Sequence, residues 1–527
     1  LIKDLINQGV DTFFGIQGGA CARLIDNVIK YKGKFIPVLN EQSAGFYAHG
    51  YYMSTKKTAG LIFTTGPGLT NGITGIAACY YDRVPLVVLV GQVVRNLNIA
   101  KKTNTRMVGF QEVPHLDLCK SISDNVFKID HKNKYRILRK KFLKHVSSKV
   151  QVVEFLDDIQ RLKIKKQYSN QKYYLNSKNV SLSIEKKKLI KNSIKPVFIV
   201  GAGFAQSTNL KKSIKKLVQT NICVACTWGG QKIQNYLTKK ENFLGIMGNH
   251  NPGVANKYIK GADLIIAIGC SLLQHQVGKH PSNFANLAKI LYVNNDINEC
   301  KRARKQFGKR LSYINGDATS FLNQVPNKNK KPYIQGKADN KAFYPSNVLK
   351  YIFEKINKNS IIFADAGATL SWTYQAANMT QKCPPIFTSF NLHSMGYANC
   401  AAIGALISQR KNVYCVIGDG SIPMNGQELS WISKFPFKMI ILDNRGYGII
   451  RQTQRSFYKS KFYGSDFKNN KSKLPKFSLE KILNSYAIKF KKIKNKPNKK
   501  DFLWFNSSNT PKALIIDVNY NAQVITE

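Results

Sequence analysis

The chain has 527 residues, of which 43% are hydrophobic and 21% are charged, as in ordinary globular proteins, so disorder is excluded as its overall character. Its formal net charge of +52 raises the hypothesis of nucleic-acid binding. The lysines are scattered, however, with no basic stripe and no interleaved aromatic residues. We therefore expect no nucleic-acid partner and interpret the charge as a solvated surface.

Apolar runs and cysteines favour a cytoplasmic protein. No run of 18 or more apolar residues occurs, so we expect no membrane-spanning segment, and no signal peptide is apparent. The ten cysteines lie mostly in apolar runs, as is typical of buried thiols in a reducing compartment. Cys223 and Cys226 have the spacing of a metal or redox pair, but no second pair lies nearby and their run favours a buried strand.

Alternating strand-like and helix-like segments predict three successive α/β domains, each a doubly wound and mostly parallel sheet with helices on both faces. The domains are predicted at residues 1–166, 190–326 (Rossmann-like) and 344–527, with polar, Lys-rich linkers between them. Strands are predicted at 12–16, 35–39, 59–65, 85–91 and 150–156 in the first domain, at 196–203, 222–227, 263–269 and 289–296 in the second, and at 360–367, 412–420, 437–444 and 511–518 in the third.

The turn Gly418-Asp419-Gly420-Ser421 follows a predicted strand and precedes an amphipathic helix predicted to begin near Pro423. Glycines allow the backbone to approach an anion, and a helix N-terminus offers unpaired N–H groups. Asp419 would repel a bare phosphate, so the pattern indicates a divalent cation between them, and Mg²⁺ takes about six oxygen ligands. A second oxygen is expected from Asn444, which closes the next strand, because ligands bind at the carboxyl ends of parallel strands.

This pattern resembles the thiamine-diphosphate enzymes, whose signature is Gly-Asp-Gly, a spacer and Asn-Asn. The spacer here is about two residues shorter than in acetolactate synthases, and Asp443 stands in place of the first Asn. The resemblance implies thiamine diphosphate and Mg²⁺ as cofactors, with Mg²⁺ held by Asp419, Asn444 and the Gly446 carbonyl. It places further cofactor contacts at Gly418, Gly420, Ser421, Ala368, Thr369, Gly448, Ile449 and Ile450.

A second part of the resemblance concerns the carboxyl group that activates the cofactor. Glu41 opens a helix-like segment, where an isolated Glu is usually a capping or dipole residue. Its surroundings, through Tyr51, are similar to the activating-glutamate pattern of acetolactate synthases, and so are residues 14–19 and 64–75. The resemblance implies that Glu41 is the activating acid, that Gly66, Pro67 and the His393 carbonyl contact the cofactor, and that Met395 bends it. The alternative for Met395 is an ordinary core residue.

The expected reaction follows from the same resemblance. Residues 108–118 resemble a substrate-side run, which implies that Phe110 and Gln111 belong to the catalytic site. The expected activity is decarboxylation of a 2-oxo acid such as pyruvate and carboligation of the hydroxyethyl unit to a second carbonyl, as in branched-chain amino acid biosynthesis. Thr453 replaces a Trp that shapes the second-substrate site. Decarboxylation without ligation, and acetyl transfer to a keto-sugar in surface-polysaccharide biosynthesis, therefore stay open as alternatives.

The middle domain resembles the central domain of acetolactate synthases, which in many members holds FAD without redox use. The corresponding runs, residues 245–253 and 269–278, lack the expected acids and Arg, so the sequence leaves FAD binding open. In this family the cofactor lies between the first domain of one chain and the third domain of another. We therefore expect a homo-oligomer, at least a dimer, and leave open a tetramer and a regulatory subunit.

Overall fold

A computed structural model describes residues 1–162, 179–207, 209–237, 242–329, 345–408, 410, 412–468, 472–507 and 510–526. Parts of both predicted linkers, and the predicted domain limits at residues 166, 344 and 527, lie outside these ranges. The described chain forms three six-stranded sheets. Their strand pairs are parallel throughout. The predicted fold of three parallel α/β sheets is confirmed.

The first sheet contains the element that carries Glu41. Its elements are α1 (Ile2–Asn7), β1 (Thr12–Gly15), α2 (Ala22–Lys30), β2 (Lys34–Pro37), α3 (Glu41–Thr55), β3 (Ala59–Phe63), α4 (Pro67–Tyr81), β4 (Leu86–Gln92), α5 (Ala100–Thr103), α6 (His115–Cys119), β5 (Asn125–Ile129), α7 (Lys134–Leu143), β6 (Val150–Leu156) and α8 (Asp157–Gln160). The strand order is β2-β1-β3-β4-β6-β5. Strands β4 and β6 are buried along their whole length, because helices cover both faces of a parallel sheet.

The middle sheet has the order β12-β11-β10-β7-β8-β9, which is the doubly wound order of dinucleotide-binding folds. Its elements are α9 (Ile184–Asn192), β7 (Pro196–Val200), α10 (Ala202–Ala205), α11 (Leu210–Gln219), β8 (Cys223–Cys226), β9 (Phe243–Ile246), α12 (Val254–Lys260), β10 (Leu264–Ile268), α13 (Gln274–Val277), β11 (Lys289–Asn294), α14 (Ile297–Phe307), β12 (Leu311–Asn315) and α15 (Ala318–Leu322).

The third sheet has the order β14-β13-β15-β16-β18-β17, which repeats the pattern of the first. Its elements are α16 (Ser346–Lys355), β13 (Ile361–Ala364), α17 (Ala368–Met379), β14 (Ile386–Phe387), α18 (Tyr397–Ile407), β15 (Val413–Gly418), α19 (Leu429–Ile432), β16 (Lys438–Asp443), α20 (Gly448–Phe457), α21 (Leu479–Ser485), β17 (Lys489–Ile493), α22 (Lys499–Asn506) and β18 (Lys512–Asp517). The helix predicted near Pro423 is wrong. A 3₁₀ segment covers Asp419–Glu428, the backbone at Asn425 is non-helical, and the α-helix α19 begins only at Leu429.

The first and third domains of one chain pack through helices α3 and α18. A Cβ atom at Gly50 would collide with the Ala401 carbonyl, and one at Gly404 would collide with the Tyr47 carbonyl. Both positions therefore need glycine because the two helix backbones approach each other closely. This crossing fixes the first domain on the third.

The composition-based predictions can be compared with the fold. All ten cysteines are free and buried, as expected. Cys223 and Cys226 both lie on β8 but contribute to different apolar clusters. They therefore face opposite sides of the sheet, and the predicted strand reading is confirmed. Among the described helices, none is long and apolar enough to cross a membrane.

Candidate functional site

Polar residues follow three neighbouring strands of the third sheet. Asp365 comes after β13, Asp419 after β15 and Asn444 after β16, and these three strands pair side by side. The carboxyl ends of adjacent parallel strands meet at one edge of a sheet, where ligands bind in such folds. These three residues, which are far apart in the sequence, therefore lie at one edge of the folded sheet.

Asp419 is a buried carboxylate at this edge, with 2% of its surface exposed. It accepts hydrogen bonds from the backbone N–H groups of Gly446 at 2.7 Å and Asn444 at 3.3 Å. Burial raises the pKa of Asp419 to about 7, and the negative charge of Asp443 is the second cause of this rise. Two backbone amides only partly compensate a buried negative charge. The surroundings of Asp419 are therefore suited to binding a cation.

Three candidate ligands of a cation lie together at this edge: the Asp419 carboxylate, the Asn444 side-chain amide and the Gly446 carbonyl. The end of the Asn444 side-chain amide lies 3.0 Å from Asp419 Oδ1 and 2.7 Å from the Gly446 carbonyl oxygen. Without a cation the NH₂ group would donate to both oxygens, whereas a bound cation would take the amide oxygen at this place. Neighbouring oxygen ligands of an octahedral ion with bonds of about 2.1 Å are roughly 2.9 Å apart. The residues therefore fit Mg²⁺. We call Asp419, Asn444 and Gly446 the cation half-site. In the described ranges, no group of three His, Cys, Asp or Glu residues could hold another metal.

Two helices begin at the same edge. Helix α17 begins at Ala368 after Gly367, whose φ is +76°, and the Thr369 hydroxyl would lie 3.0 Å from a Cβ at Gly418. Helix α20 begins at Gly448 and continues through Ile449 and Ile450. Helix N-termini attract phosphate through free N–H groups and the helix dipole. The arrangement fits a diphosphate beside the cation.

Glycine is required in the two turns of this edge. A Cβ at Gly420 would lie 2.6 Å from the Tyr447 ring, and one at Gly448 would collide with the Asn444 amide. Ser421 is buried directly after Gly420. The backbone therefore comes close to any bound anion, as the Gly-rich pattern predicts.

Met395 lies in a turn that Asp365 holds. The Asp365 carboxylate accepts from the backbone N–H of Gly396 at 3.1 Å and of Ala398 at 2.8 Å. Met395 is half-buried, and His393 has a φ of +53°. Sequence reasoning named Met395 and His393 but missed Asp365, although its place in Asp-Ala-Gly after a strand was a signal.

Arg451, on α20, was also missed and supports the cation half-site from behind. It is 1% exposed. Its guanidinium donates to the carbonyls of Asn444 (2.7 Å), Arg445 (3.1 Å), Ser465 (3.3 Å) and Tyr520 (3.2 Å). One side chain therefore joins the loop that carries Asn444 and Gly446 to the C-terminal segment.

The first domain carries the candidate activating acid. Glu41 is the first residue of α3, behind the N-cap Asn40, whose side chain accepts from the Gln42 N–H at 2.9 Å. Glu41 is 8% exposed and accepts from the Asn71 side-chain amide, on α4, at 3.2 Å. The cap thus fixes the helix start and leaves the Glu41 carboxyl to another role. Asn71 was not predicted.

Gly66, Pro67 and Gln111 lie beside one another. Gly66 has a φ of +66° and precedes Pro67 at the start of α4, and a Cβ on it would lie 2.9 Å from Gln111 Cβ. Phe110, next to Gln111, is 82% exposed. We call Glu41, Gly66 and Gln111 the carboxyl half-site.

A buried polar network supports the carboxyl half-site and escaped the sequence analysis. His115 accepts from the Gly66 N–H at 3.1 Å and contacts Glu154 at 3.1 Å. Gln92 donates to Glu154 at 3.1 Å. The network holds the loop at Gly66 in place.

The two half-sites are not joined within one chain. Among the described residues, no hydrogen bond links the carboxyl half-site to the cation half-site. Instead, Glu428 of the third domain accepts from the backbone N–H of Leu39 (2.9 Å) and Asn40 (3.1 Å) and from the Tyr47 hydroxyl (2.6 Å). The two half-sites are therefore separate groups of residues within the described part of one chain.

The described part of the middle domain has few free groups that could bind a dinucleotide. The Gly201 N–H donates to the Ile268 carbonyl at 3.0 Å, and the Gly203 N–H donates to the Gly269 carbonyl at 2.9 Å. These turn amides are therefore occupied by the neighbouring strand end. Residues 245–253 and 269–278 contain no Lys or Arg to neutralise a diphosphate.

Three family models match the chain in the order of its three sheets. The N-terminal TPP binding domain of thiamine pyrophosphate enzymes matches residues 1–114, their central domain matches residues 185–325, and their C-terminal TPP binding domain matches residues 365–503. The chain belongs to the thiamine pyrophosphate enzymes.

Similar proteins narrow this class. The acetolactate synthase large subunit of Lactococcus lactis subsp. lactis is 28% identical over 100% of this chain and 93% of its own length. A probable acetolactate synthase large subunit of Methanococcus aeolicus is 29% identical over 94% of this chain and 87% of its own. Acetolactate synthase isozyme 2 large subunit of Escherichia coli is 26% identical over 89% and 87%. The chain is a thiamine-diphosphate-dependent enzyme of the acetolactate synthase type, and the predicted resemblance is confirmed.

Proposed function

We propose that the protein decarboxylates a 2-oxo acid of the pyruvate type and transfers the remaining two-carbon unit to a second carbonyl compound. The grouping of the Asp419 carboxylate, the Asn444 side-chain amide and the Gly446 carbonyl at one edge of the third sheet carries this proposal. It fits the Mg²⁺ that would anchor thiamine diphosphate. When bound, thiamine diphosphate supplies a nucleophilic carbon and takes up the electron pair that decarboxylation releases.

The residues of the chain have separate roles in this proposal. Asp419, Asn444 and the Gly446 carbonyl hold Mg²⁺, while Gly418, Gly420, Ser421, Ala368, Thr369, Gly448, Ile449 and Ile450 line the diphosphate. Glu41 holds and returns a proton at the pyrimidine nitrogen, since its only described side-chain donor is the neutral Asn71 amide and proton transfer needs a carboxyl that is not locked in an ion pair. Gly66, Pro67, Met395 and the His393 carbonyl position the rings.

Phe110 and Gln111 face the substrate in this proposal. Phe110 is 82% exposed in one chain, which is unusual for a large aromatic ring, so we propose that another surface covers it in the working enzyme. Covering it would exclude water from the reacting carbons and prevent simple protonation of the two-carbon unit.

We further propose that the active site is completed by two chains. The carboxyl half-site and the cation half-site are not hydrogen-bonded to each other in the described part of one chain. Ile450 and Met424, beside the cation half-site, are each 45% exposed. In a symmetric dimer, the carboxyl half-site of each protomer lies against the cation half-site of its partner, so the dimer has two complete sites.

FAD has no part in this proposal. The described turn amides of the middle domain are already bonded to the neighbouring strand, so the residues do not fit a dinucleotide diphosphate. We expect the purified protein to show no flavin absorbance near 450 nm. A stoichiometric flavin spectrum would contradict this expectation.

A product assay tests the proposed function. The purified protein is mixed with pyruvate, thiamine diphosphate and Mg²⁺, alone and with a panel of acceptor carbonyls, and the products are identified by mass spectrometry. We expect CO₂ and a ligated product, either 2-acetolactate or an adduct with an added acceptor. Acetaldehyde without any ligated product would replace this function by simple decarboxylation, and no release of CO₂ would refute both.

A further inference from the structure

Aromatic rings from two domains meet beside the turn that carries Met395. Trp228 stacks on Tyr374 at 5.0 Å between ring centroids. His275 lies 5.7 Å and His250 6.0 Å from Trp228, and His393 lies 6.0 Å from Trp228 and 5.9 Å from His275. We call these five residues the histidine cluster. Trp228 and Tyr374 are buried while the three imidazoles are half-buried, so a ligand would meet the imidazoles first.

Unpaired polar atoms are concentrated around this cluster. Among the described residues, 13 buried side-chain nitrogen or oxygen atoms have no hydrogen-bond partner. Five of them lie in the cluster or directly beside its members in sequence or contact: His250 Nδ1, Asn251 Nδ2, Gln276 Oε1, Ser389 Oγ and Ser394 Oγ. Each unpaired buried group costs roughly 1–3 kcal/mol. Their concentration at one place provides hydrogen-bond partners for a polar ligand.

The backbone of His393 points to the same conclusion. Its φ of +53° is a left-handed conformation that a non-glycine residue adopts at a cost of about 1–2 kcal/mol. Strain of this kind is characteristic of functional sites. Here the strain places the imidazole against Trp228 and His275, where the middle and third domains meet.

The charged group that acts on His275 and His393 is a carboxylate, that of Asp82. Burial is the main cause that lowers the pKa of His250, His275 and His393, and it lowers that of His275 to about 4. The imidazoles are therefore neutral at pH 7 and offer both donors and acceptors. The adjoining runs 245–253 and 269–278 contain no Lys or Arg. In these two runs the carboxylate of a second 2-oxo acid would have no cation to pair with. Hydroxyl groups would have both hydrogen-bond donors and hydrogen-bond acceptors beside the imidazoles.

We propose that the histidine cluster is the acceptor subsite of this enzyme and that it takes a polyhydroxylated ketone or aldehyde of the sugar type. This proposal rests on the proposed function, since the acceptor is the second carbonyl of that reaction. Ser394 and Met395 follow His393 directly, so the cluster adjoins the turn where the cofactor rings are proposed to lie. Its hydroxyl and amide groups would orient the acceptor carbonyl toward those rings.

The reaction balances without an oxidant. The bond between C1 and C2 of pyruvate breaks and CO₂ leaves. C2 of pyruvate forms a bond to the acceptor carbonyl carbon, whose oxygen takes up one proton from solvent. The product is an α-hydroxy ketone that retains the hydroxyl groups of the acceptor.

Binding is tested separately from turnover. Saturation-transfer NMR with L-erythrulose as the probe should give a signal with the wild-type protein that His275→Leu weakens at least tenfold. His393→Gly should weaken it as well, and this second variant relieves the left-handed strain and so keeps the fold. His280→Leu, at an exposed histidine five residues from His275, is the matched control and should bind erythrulose like the wild type.

Turnover is tested with ¹³C-labelled pyruvate and erythrulose at equal concentrations. We expect the erythrulose adduct to exceed 2-acetolactate at least tenfold, and we expect His275→Leu, but not His280→Leu, to reduce this ratio tenfold. Erythrulose binding that is absent, or equal in His275→Leu and wild type, would overturn the proposal, as would a flavin bound at the cluster. Binding that depends on His275 without any release of CO₂ would support the subsite and refute the proposed function instead.

Discussion

The two candidate carboxylates, Glu41 and Asp419, differ in what surrounds each side chain. Glu41 receives one hydrogen bond from a neutral amide, whereas Asp419 accepts hydrogen bonds from two backbone N–H groups and lies 3.0 Å from the end of the Asn444 side chain. A carboxyl with one weak partner can exchange a proton, and one among oxygens is suited to a cation. The same chemical group thus has two proposed roles, set by its surroundings.

Glu41→Gln should separate binding from turnover. The amide is close in size to the carboxylate and keeps a contact with Asn71, so thiamine diphosphate should still bind, while CO₂ release from pyruvate should fall about 10²–10⁴-fold because the proton-transferring group is lost. Isothermal titration calorimetry and a CO₂ assay check the two parts. Glu185→Gln, in the first turn of α9, is the matched control and should leave both unchanged. Near-normal turnover in Glu41→Gln would remove Glu41 from the mechanism.

His275 should make the fold sensitive to acid. Burial first, then His393 and His250, lower its pKa to about 4, and Asp82 opposes them. Between pH 6.5 and 4 the unfolded chain binds a proton at this residue that the folded chain does not, so stability falls as the pH falls. At pH 5 the loss should be about 2 kcal/mol relative to pH 7. Urea unfolding of wild type and His275→Asn measures it, and an equal loss in both proteins would contradict the assignment.

Single residues that act on the backbone could not be predicted. Glu41, Asp419 and Asn444 stand in patterns whose spacing has chemical meaning, so the sequence identified them. Asp365 and Arg451 act by binding amides and carbonyls of segments distant in the chain, and these partners exist only after folding. The place of Asp365 in Asp-Ala-Gly after a strand was a partial signal, whereas nothing in the sequence around Arg451 indicated its partners.

At the level of elements, all the strands that the sequence analysis missed are edge strands. They are β5, β9, β12, β14 and β17, each at the end of its sheet order. Central strands of a parallel sheet are buried on both faces and read as continuous apolar runs. An edge strand such as β17, with the sequence KFKKI, is half exposed and lacks that signal. The predicted central strands are confirmed for the same reason.

Gly404→Ala tests the crossing of α3 and α18. The new methyl group would collide with the Tyr47 carbonyl, so the helices must separate, and we expect the stability to fall by about 1–3 kcal/mol or more. Thermal unfolding measures the loss. Gly19→Ala is the matched control, since a Cβ there meets nothing within 4 Å. An unchanged melting temperature in Gly404→Ala would show that the helices do not pack this closely.

At the level of the whole molecule, the scattered positive charge contributes nothing that the site requires. The cation half-site consists of oxygens, and the histidine cluster is neutral. In the proposed function, the carboxyl half-site of one chain needs the cation half-site of another. The sequence could suggest this only through resemblance, because spacing along one chain does not report contacts between chains.

Mixing two inactive variants tests whether the site is shared. Glu41→Gln and Asp419→Ala each damage a different half-site. If the proposed site combines two chains, a mixed dimer has one intact site, and random exchange of subunits should restore about a quarter of wild-type activity. The measurement is CO₂ release after the variants are dissociated and reassembled together. Each variant reassembled alone is the control, and activity no higher than in these controls would place the whole site in one chain.

The equal strand orders of the first and third sheets have a consequence for the origin of the chain. Helices α3 and α18 follow corresponding edge strands, β2 and β14, of sheets built in the same order. They cross through one glycine each, Gly50 against Ala401 and Gly404 against Tyr47, which is nearly the reciprocal contact of a two-fold axis. We infer that a single ancestral domain once paired with its own copy through this helix. Duplication then joined the two copies and left one to keep the carboxyl group and the other to keep the cation.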